Sequence, residues 1–181
     1  MEWMFLPLKR YAEFSGRSRR MEFWMWVLFQ FLLGCAFLIG FMALVGSAIF
    51  AGNMQNPEQV LASGGAAIGL VLIWGVVSLA FFIPNLAVTV RRLHDTDRSG
   101  WWIMLYWGPY LANLFLTPAI VNASQDVDSL NGMMGVSFAL SIASLIGGLV
   151  LLVFLFLDGT PGSNRYGPDP KGRAGASDVF A

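Results

Sequence analysis

The sequence predicts an all-α membrane protein: a four-helix transmembrane bundle with both termini cytoplasmic and a short interfacial segment at the N-terminus. Three observations predict it. Charged residues make up 12% of the 181-residue chain and hydrophobic residues 56%, against about 25% charged in soluble domains. The charges are clustered, so that none lies between Glu22 and Glu58, Glu58 and Arg91, Arg98 and Asp126, or Asp128 and Asp158. Finally, all eleven basic residues fall in segments that a four-helix chain returns to one side.

The chain opens on MEWMFLPLKRYAEF, in which Trp3, Phe5, Leu6, Leu8, Tyr11 and Phe14 can lie in the membrane interface while Lys9 and Arg10 face phosphates. The charge-free stretches then place transmembrane helices near 22–50, 66–91, 100–121 and 133–157, since a helix crosses a bilayer core with roughly 20 apolar residues. The first is too long for a signal peptide and follows a leader that carries Glu2 and Glu13. Ser18 is expected to cap this helix and Glu22 to suit its first turn. Residues 1–170 are expected to form a single integral membrane domain and residues 171–181 a flexible tail.

Charge sets the orientation. Lys9, Arg10, Arg17, Arg19 and Arg20 precede the first helix, Arg91, Arg92 and Arg98 lie in the second loop, and Arg165, Lys171 and Arg173 follow the last helix. The other two loops carry only Glu58, Asp126 and Asp128. The positive-inside rule puts both termini and the 91–100 loop in the cytoplasm. Phe23, Trp24 and Trp26, and later Trp101 and Trp102, suit headgroup depth or packing between helices.

Small residues at Gly135, Ala139, Ala143 and Gly147 line one face of the fourth helix, widened by Ser137, Ser141, Ser144 and Gly148. Such a face allows close backbone approach to another helix, within the bundle or in a second copy of the chain or another membrane protein. Pro84 with Asn85, and Pro109 with Asn113, mark kinks that either open a shallow vestibule or are satisfied by neighbouring helices.

Three polar motifs fall on the cytoplasmic face: FSGRSRRMEFW (14–24), RRLHDTDRSGWW (91–102) and LDGTPGSNRYGPDP (157–170). The lone His94 and the lone Cys35 cannot assemble a zinc site, and no Cys–His pair is within reach. A Ser–His–Asp set using Ser99 lacks a nucleophile elbow. The third motif has no Walker lysine and no EF-hand spacing, but its Gly, Pro, Asn and Asp content predicts consecutive tight turns. No catalytic residue, metal ligand or cofactor is expected. A charge network is, with Asp95 and Asp97 bridging Arg91, Arg92 or Arg98.

Together the motifs F-S-G-R-x-R-R-x-E-F-W, R-R-L-H-D-T-x-x-S-G-W-W and D-G-T-x-G-x-N-R-Y-G-P-D-P resemble a bacterial inner-membrane family catalogued as domain of unknown function 805, across about residues 8–170. The resemblance implies a small multi-helix protein of the inner (plasma) membrane and brings no activity, substrate or cofactor.

The leading expectation is a non-enzymatic membrane protein in which Arg19, Arg20, Glu22, Arg92, His94, Asp95, Asp158, Asn164, Arg165 and Asp169 meet in one polar cluster. Its ligand would be an anionic headgroup, a small molecule or a protein partner. Membrane lipids are the expected partners, and nucleic acid is not. Two alternatives stand beside it. One is a transporter or channel component built on the kinks, against which no charged residue lies inside a helix. The other is an interfacial enzyme using His94 and Asp95.

Overall fold

The computed structural model describes residues 2–50, 57–122 and 127–173. Among these residues the regular structure is helical: α1 (Glu2–Lys9), α2 (Arg20–Phe50), α3 (Pro57–Asp95), α4 (Met104–Asn122) and α5 (Val127–Phe156). Three stretches are long and apolar enough to cross a membrane: Arg20–Gly46, Gly64–Asp95 and Asp128–Phe156, of 27, 32 and 29 residues. Large apolar side chains such as Phe31, Leu79 and Phe138 stand exposed along them, the opposite of what water selects.

The expected third span is the exception. Gly100–Ile103 is a 3-10 turn started by Ser99, whose Oγ accepts the Trp101 N–H at 3.3 Å, and α4 supplies only 19 residues. Pro109, Pro118, Asn113 and several Tyr and Trp rings keep its hydropathy below that of its neighbours. It is not among the helices that qualify by length and composition.

α3 is longer than expected at both ends. Pro57 suits the first helical position, where its missing N–H costs nothing. At the other end Arg91–Asp95 is the last helical turn rather than a loop, and the turn proper is Thr96–Ser99. Asp97 is left-handed (φ 56), the Arg98 N–H bonds the Leu93 carbonyl at 2.9 Å, and the Asp97 N–H bonds that of His94 at 3.0 Å. That pattern is a Schellman stop, with aspartate where glycine is usual. Arginine and histidine in this turn also suit the negative end of the helix dipole.

The chain divides into two compact units, one of Met1–Glu13 with Met21–Val88, the other of Phe14–Arg20 with Thr89–Ala181. In the first, Phe5 meets Phe29 (5.3 Å between centroids), Trp26 meets Phe81 (5.3 Å) and Phe37 stacks on Trp74 (4.5 Å). Trp26 is fully buried, so it packs between helices instead of marking the headgroup level. Its Nε1–H and the Gln30 amide both donate to Asn85 Oδ1, at 2.6 and 2.5 Å, and the Asn85 amide returns a bond to Gln30 Oε1 at 3.0 Å. The asparagine beside Pro84 is thereby satisfied, as a polar group in hydrocarbon must be. The Tyr11 hydroxyl donates to the Ala80 carbonyl at 2.6 Å, tying the residues after α1 to α3.

In the second unit α4 and α5 pack as an antiparallel hairpin. A Cβ added at Gly147 would stand 2.2 Å from the Leu105 carbonyl oxygen, so a hydrogen there is what permits the approach. Farther along, the Ser137 hydroxyl donates to Asn113 Oδ1 at 2.6 Å and the Asn113 amide to Ser141 Oγ at 2.9 Å. The small-residue face of α5 is thus occupied by α4 at these positions. Asp126 and the tail beyond Arg173 lie outside the described residues.

Candidate functional site: a polar cap

All three polar motifs contribute to the second unit, where residues 14–20, 91–98 and 157–173 form a polar cap. Its centre is Arg17, a residue the charge-network expectation did not include. Arg17 follows a turn at Gly16 (φ 81), and its side chain is only 1% exposed. Its Nε donates to Asp95 Oδ1 at 2.9 Å, Nη1 to the Gly162 carbonyl at 2.7 Å, and Nη2 to the Thr160 carbonyl at 2.5 Å. One guanidinium therefore holds both the end of α3 and the segment after α5. A buried fork of this kind is satisfied only when every donor has an acceptor.

Asp95 is the complementary centre. Its other oxygen takes Arg92 Nη1, so two buried guanidiniums flank one buried carboxylate. Its backbone carbonyl accepts the Thr160 N–H at 2.9 Å. Gly159 lies so close that an added Cβ would come 2.0 Å from Asp95 Oδ2. This close approach explains the glycine of the D-G-T motif.

Arg92 and Arg20 have a second task. α5 carries no basic residue in its last turn, yet its final carbonyls have no partners within the helix. Arg92 donates through Nε to the Leu155 carbonyl at 3.2 Å and through Nη2 to that of Leu157, while Arg20 Nη1 reaches the Phe156 carbonyl at 3.3 Å. Arginines from elsewhere in the chain supply the positive charge the helix end lacks.

The segment after α5 folds on itself through turns, as its composition predicts. Asn164 and Gly167 exchange N–H···O bonds of 3.0 Å, and Asn164 Oδ1 accepts the Tyr166 N–H at 2.9 Å. The Asn164 amide donates to the His94 carbonyl at 2.9 Å. The His94 ring lies flat on Tyr166, 3.7 Å away, with Nδ1 at 3.2 Å from the Gly16 carbonyl, so its Nδ1 carries the donated hydrogen. Arg165 sits over the other part of this stack and pairs with Asp97 at 3.2 Å. Asp97 thus bridges to the tail segment, not to its own loop.

Lys171 and Arg173, placed by the sequence in the flexible tail, are tied into the cap. Arg173 donates to Asp169 Oδ2 and to the Gly159 carbonyl at 2.8 and 2.9 Å. Burial pushes the Asp169 carboxyl up, but the Arg173 bond and the Lys171 backbone N–H outweigh it and hold it below its ordinary range. The hydrogen bond from Lys171, at 2.6 Å, does the same for the exposed Asp158, with help from Arg20 at 3.0 Å.

Of the ten expected cluster residues, Arg20, Arg92, His94, Asp95, Asp158, Asn164, Arg165 and Asp169 meet in this network, and Arg19 joins it by donating to the Pro170 carbonyl. Glu22 belongs to the first unit, where it is buried in the first turn of α2. Ser18 does not cap α2 with its side chain; it is buried, and its N–H bonds the Arg91 carbonyl at 3.1 Å. Arg17 was legible only as the first arginine of the G-R-x-R-R run.

The family described as "Protein of unknown function (DUF805)" matches residues 11–168. The chain is 35% identical to the inner membrane protein YhaI of Escherichia coli K12, covering 94% of this chain and 97% of that one. It is 33% identical to the inner membrane protein YhaH of the same organism, over 94% and 98% of the two chains. It is 27% identical to the uncharacterized protein YiiR, over 93% and 88%. No solved structure matches.

Proposed function

The chain belongs to the DUF805 family, and we propose from its own geometry that it is a non-enzymatic inner-membrane protein whose polar cap engages anionic lipid headgroups on the cytoplasmic side. α2, α3, α4 and α5 cross the bilayer as a four-helix bundle, with both termini in the cytoplasm. α4 spans with its 19 residues, and the aromatic rings at its start, Trp101, Trp102, Tyr106 and Trp107, sit at headgroup depth. The relatives named as inner membrane proteins support the compartment.

One observation carries the reading. The cap segments hold nine basic residues and four acidic ones, and the deepest acidic group, Asp95, is consumed by Arg17 and Arg92. On the partly exposed rim Arg20, Arg165, Lys171 and Arg173, whose side chains are 43, 60, 29 and 34% accessible, outnumber the carboxylates of Asp97, Asp158 and Asp169 that they pair with. Each basic residue near an anionic membrane surface contributes about 1 kcal/mol of attraction. His94 is held within the cap, its ring stacked on Tyr166 and its Nδ1–H donated to the Gly16 carbonyl.

The test is native mass spectrometry of the purified full-length chain with phosphatidylglycerol or phosphatidylcholine added. Preferential retention of the anionic lipid is expected; equal retention would overturn the reading. Cysteine labelling checks the orientation, with Cys35 replaced and single cysteines placed at Ser163 and Gln55. Position 163 should react only from the cytoplasmic side.

A further inference from the structure

Within the cap one accessible carboxylate is shared by two cations; Asp97, also accessible, pairs with Arg165 alone among the described residues. Asp158 stands between Arg20 Nη2 at 3.0 Å and Lys171 Nζ at 2.6 Å, and half of its side chain is accessible. Asp95 and Asp169, by contrast, are 2% exposed. A carboxylate in water between two cations holds them weakly and exchanges readily for another anion. Its depth is defined by the helices. Arg20 opens the apolar stretch Arg20–Gly46, and two residues before Asp158, Phe156 closes the stretch Asp128–Phe156. Arg20 also bonds the Phe156 carbonyl, which fixes its guanidinium at that level.

We propose that Arg20 and Lys171 form a binding site for a lipid phosphodiester, and that Asp158 is the internal anion that fills it when no lipid is bound. The site rests on the headgroup reading above and names the residues that perform it. An arginine fork with a lysine point charge is the donor set that suits a phosphate oxygen cluster. Both cations reach it from segments whose other ends are tied down, Arg19 to the Pro170 carbonyl and the Lys171 backbone N–H to Asp169. A phosphodiester arriving from the bilayer displaces Asp158 into water and takes its two partners. Neither the Arg17–Asp95–Arg92 centre nor the Arg173–Asp169 pair opens in this exchange.

The experiment measures phosphatidylglycerol binding by the full-length chain in detergent, with phosphatidylcholine as reference. Asp158→Asn removes the competing charge and should raise phosphatidylglycerol affinity about threefold. The double variant Arg20→Gln, Lys171→Gln should lower it at least about threefold, while Arg165→Gln, which removes only general rim attraction, should lower it less. Opposite shifts from the first two variants cannot arise from loss of folding, and thermal melts confirm that each is intact. If the wild type prefers the anionic lipid but neither variant moves its affinity, the site is wrong and the headgroup reading survives. If the wild type shows no preference, the headgroup reading itself falls. Full displacement of the lipid by millimolar inorganic phosphate would overturn the lipid as source and assign the site to a soluble phosphate.

Discussion

Arg17 and Asp95, 78 positions apart in the chain, meet through a 2.9 Å Nε···Oδ1 bond with both side chains almost wholly buried. Removing one partner breaks a buried ion pair, and because Arg92 still holds Asp95 the cost stays at or below about 3–5 kcal/mol. Arg17→Gln and Asp95→Asn are each expected to lower the melting temperature in detergent markedly, and the double variant to cost less than their sum. Additive losses would show that the pair does not act as a unit.

Gly159→Ala tests the contact on the other side of the same carboxylate. An added methyl meets Asp95 Oδ2 at 2.0 Å, so overpacking of about 1–3 kcal/mol is expected. Combining it with Asp95→Ala should recover part of that loss, because the clashing oxygen is gone. No recovery in the double variant would place the strain elsewhere.

The cap should weaken in acid. The Asp169 and Asp158 carboxyls are both held below their ordinary value. A group whose folded value is depressed adds stability above its unfolded value, near 4, and loses it as pH falls through the folded one. These two carboxyls should therefore make the melting temperature drop as pH falls below about 4. Asp169→Asn should make the profile shallower in that window; an unchanged slope would contradict the assignment.

Gly147→Leu should separate α4 from α5, since even a Cβ would stand 2.2 Å from the Leu105 carbonyl oxygen. Gly135→Leu is the control, with nothing within 4 Å of an added Cβ. A cysteine pair across the hairpin at Leu105 and Gly148 should cross-link in the control and not in Gly147→Leu. Equal cross-linking in both would mean the approach is not set at this glycine.

What the sequence made legible follows from which forces act locally. Long charge-free stretches become helices because hydrocarbon leaves the backbone no alternative, and three such stretches qualify as spans. The third expected span reads like the others from its lack of charge, yet Pro109, Pro118 and Asn113 dilute it and Ser99 starts a 3-10 turn first, so it does not qualify with them. The charged run Arg91–Asp95 read as a loop on composition, yet it continues α3, since Arg92 and Asp95 find their partners in other segments. Arg17 was missed for the same reason. Nothing in its immediate neighbours distinguishes it from Arg19 or Arg20; only its acceptors, about 80 to 145 residues away, do. The Asn164 turns, by contrast, were legible because their bonds span two or three residues.

The clasp between Arg17 and the segment after α5 also has a meaning in time. A ribosome delivers Arg17 before α2 and the carbonyls of Thr160 and Gly162 only after α5, some 143 and 145 residues later. Until then its guanidinium lacks most of the acceptors that let it be buried. Closure of the cap therefore waits until α5 has been made, and a chain arrested before residue 160 carries an open one.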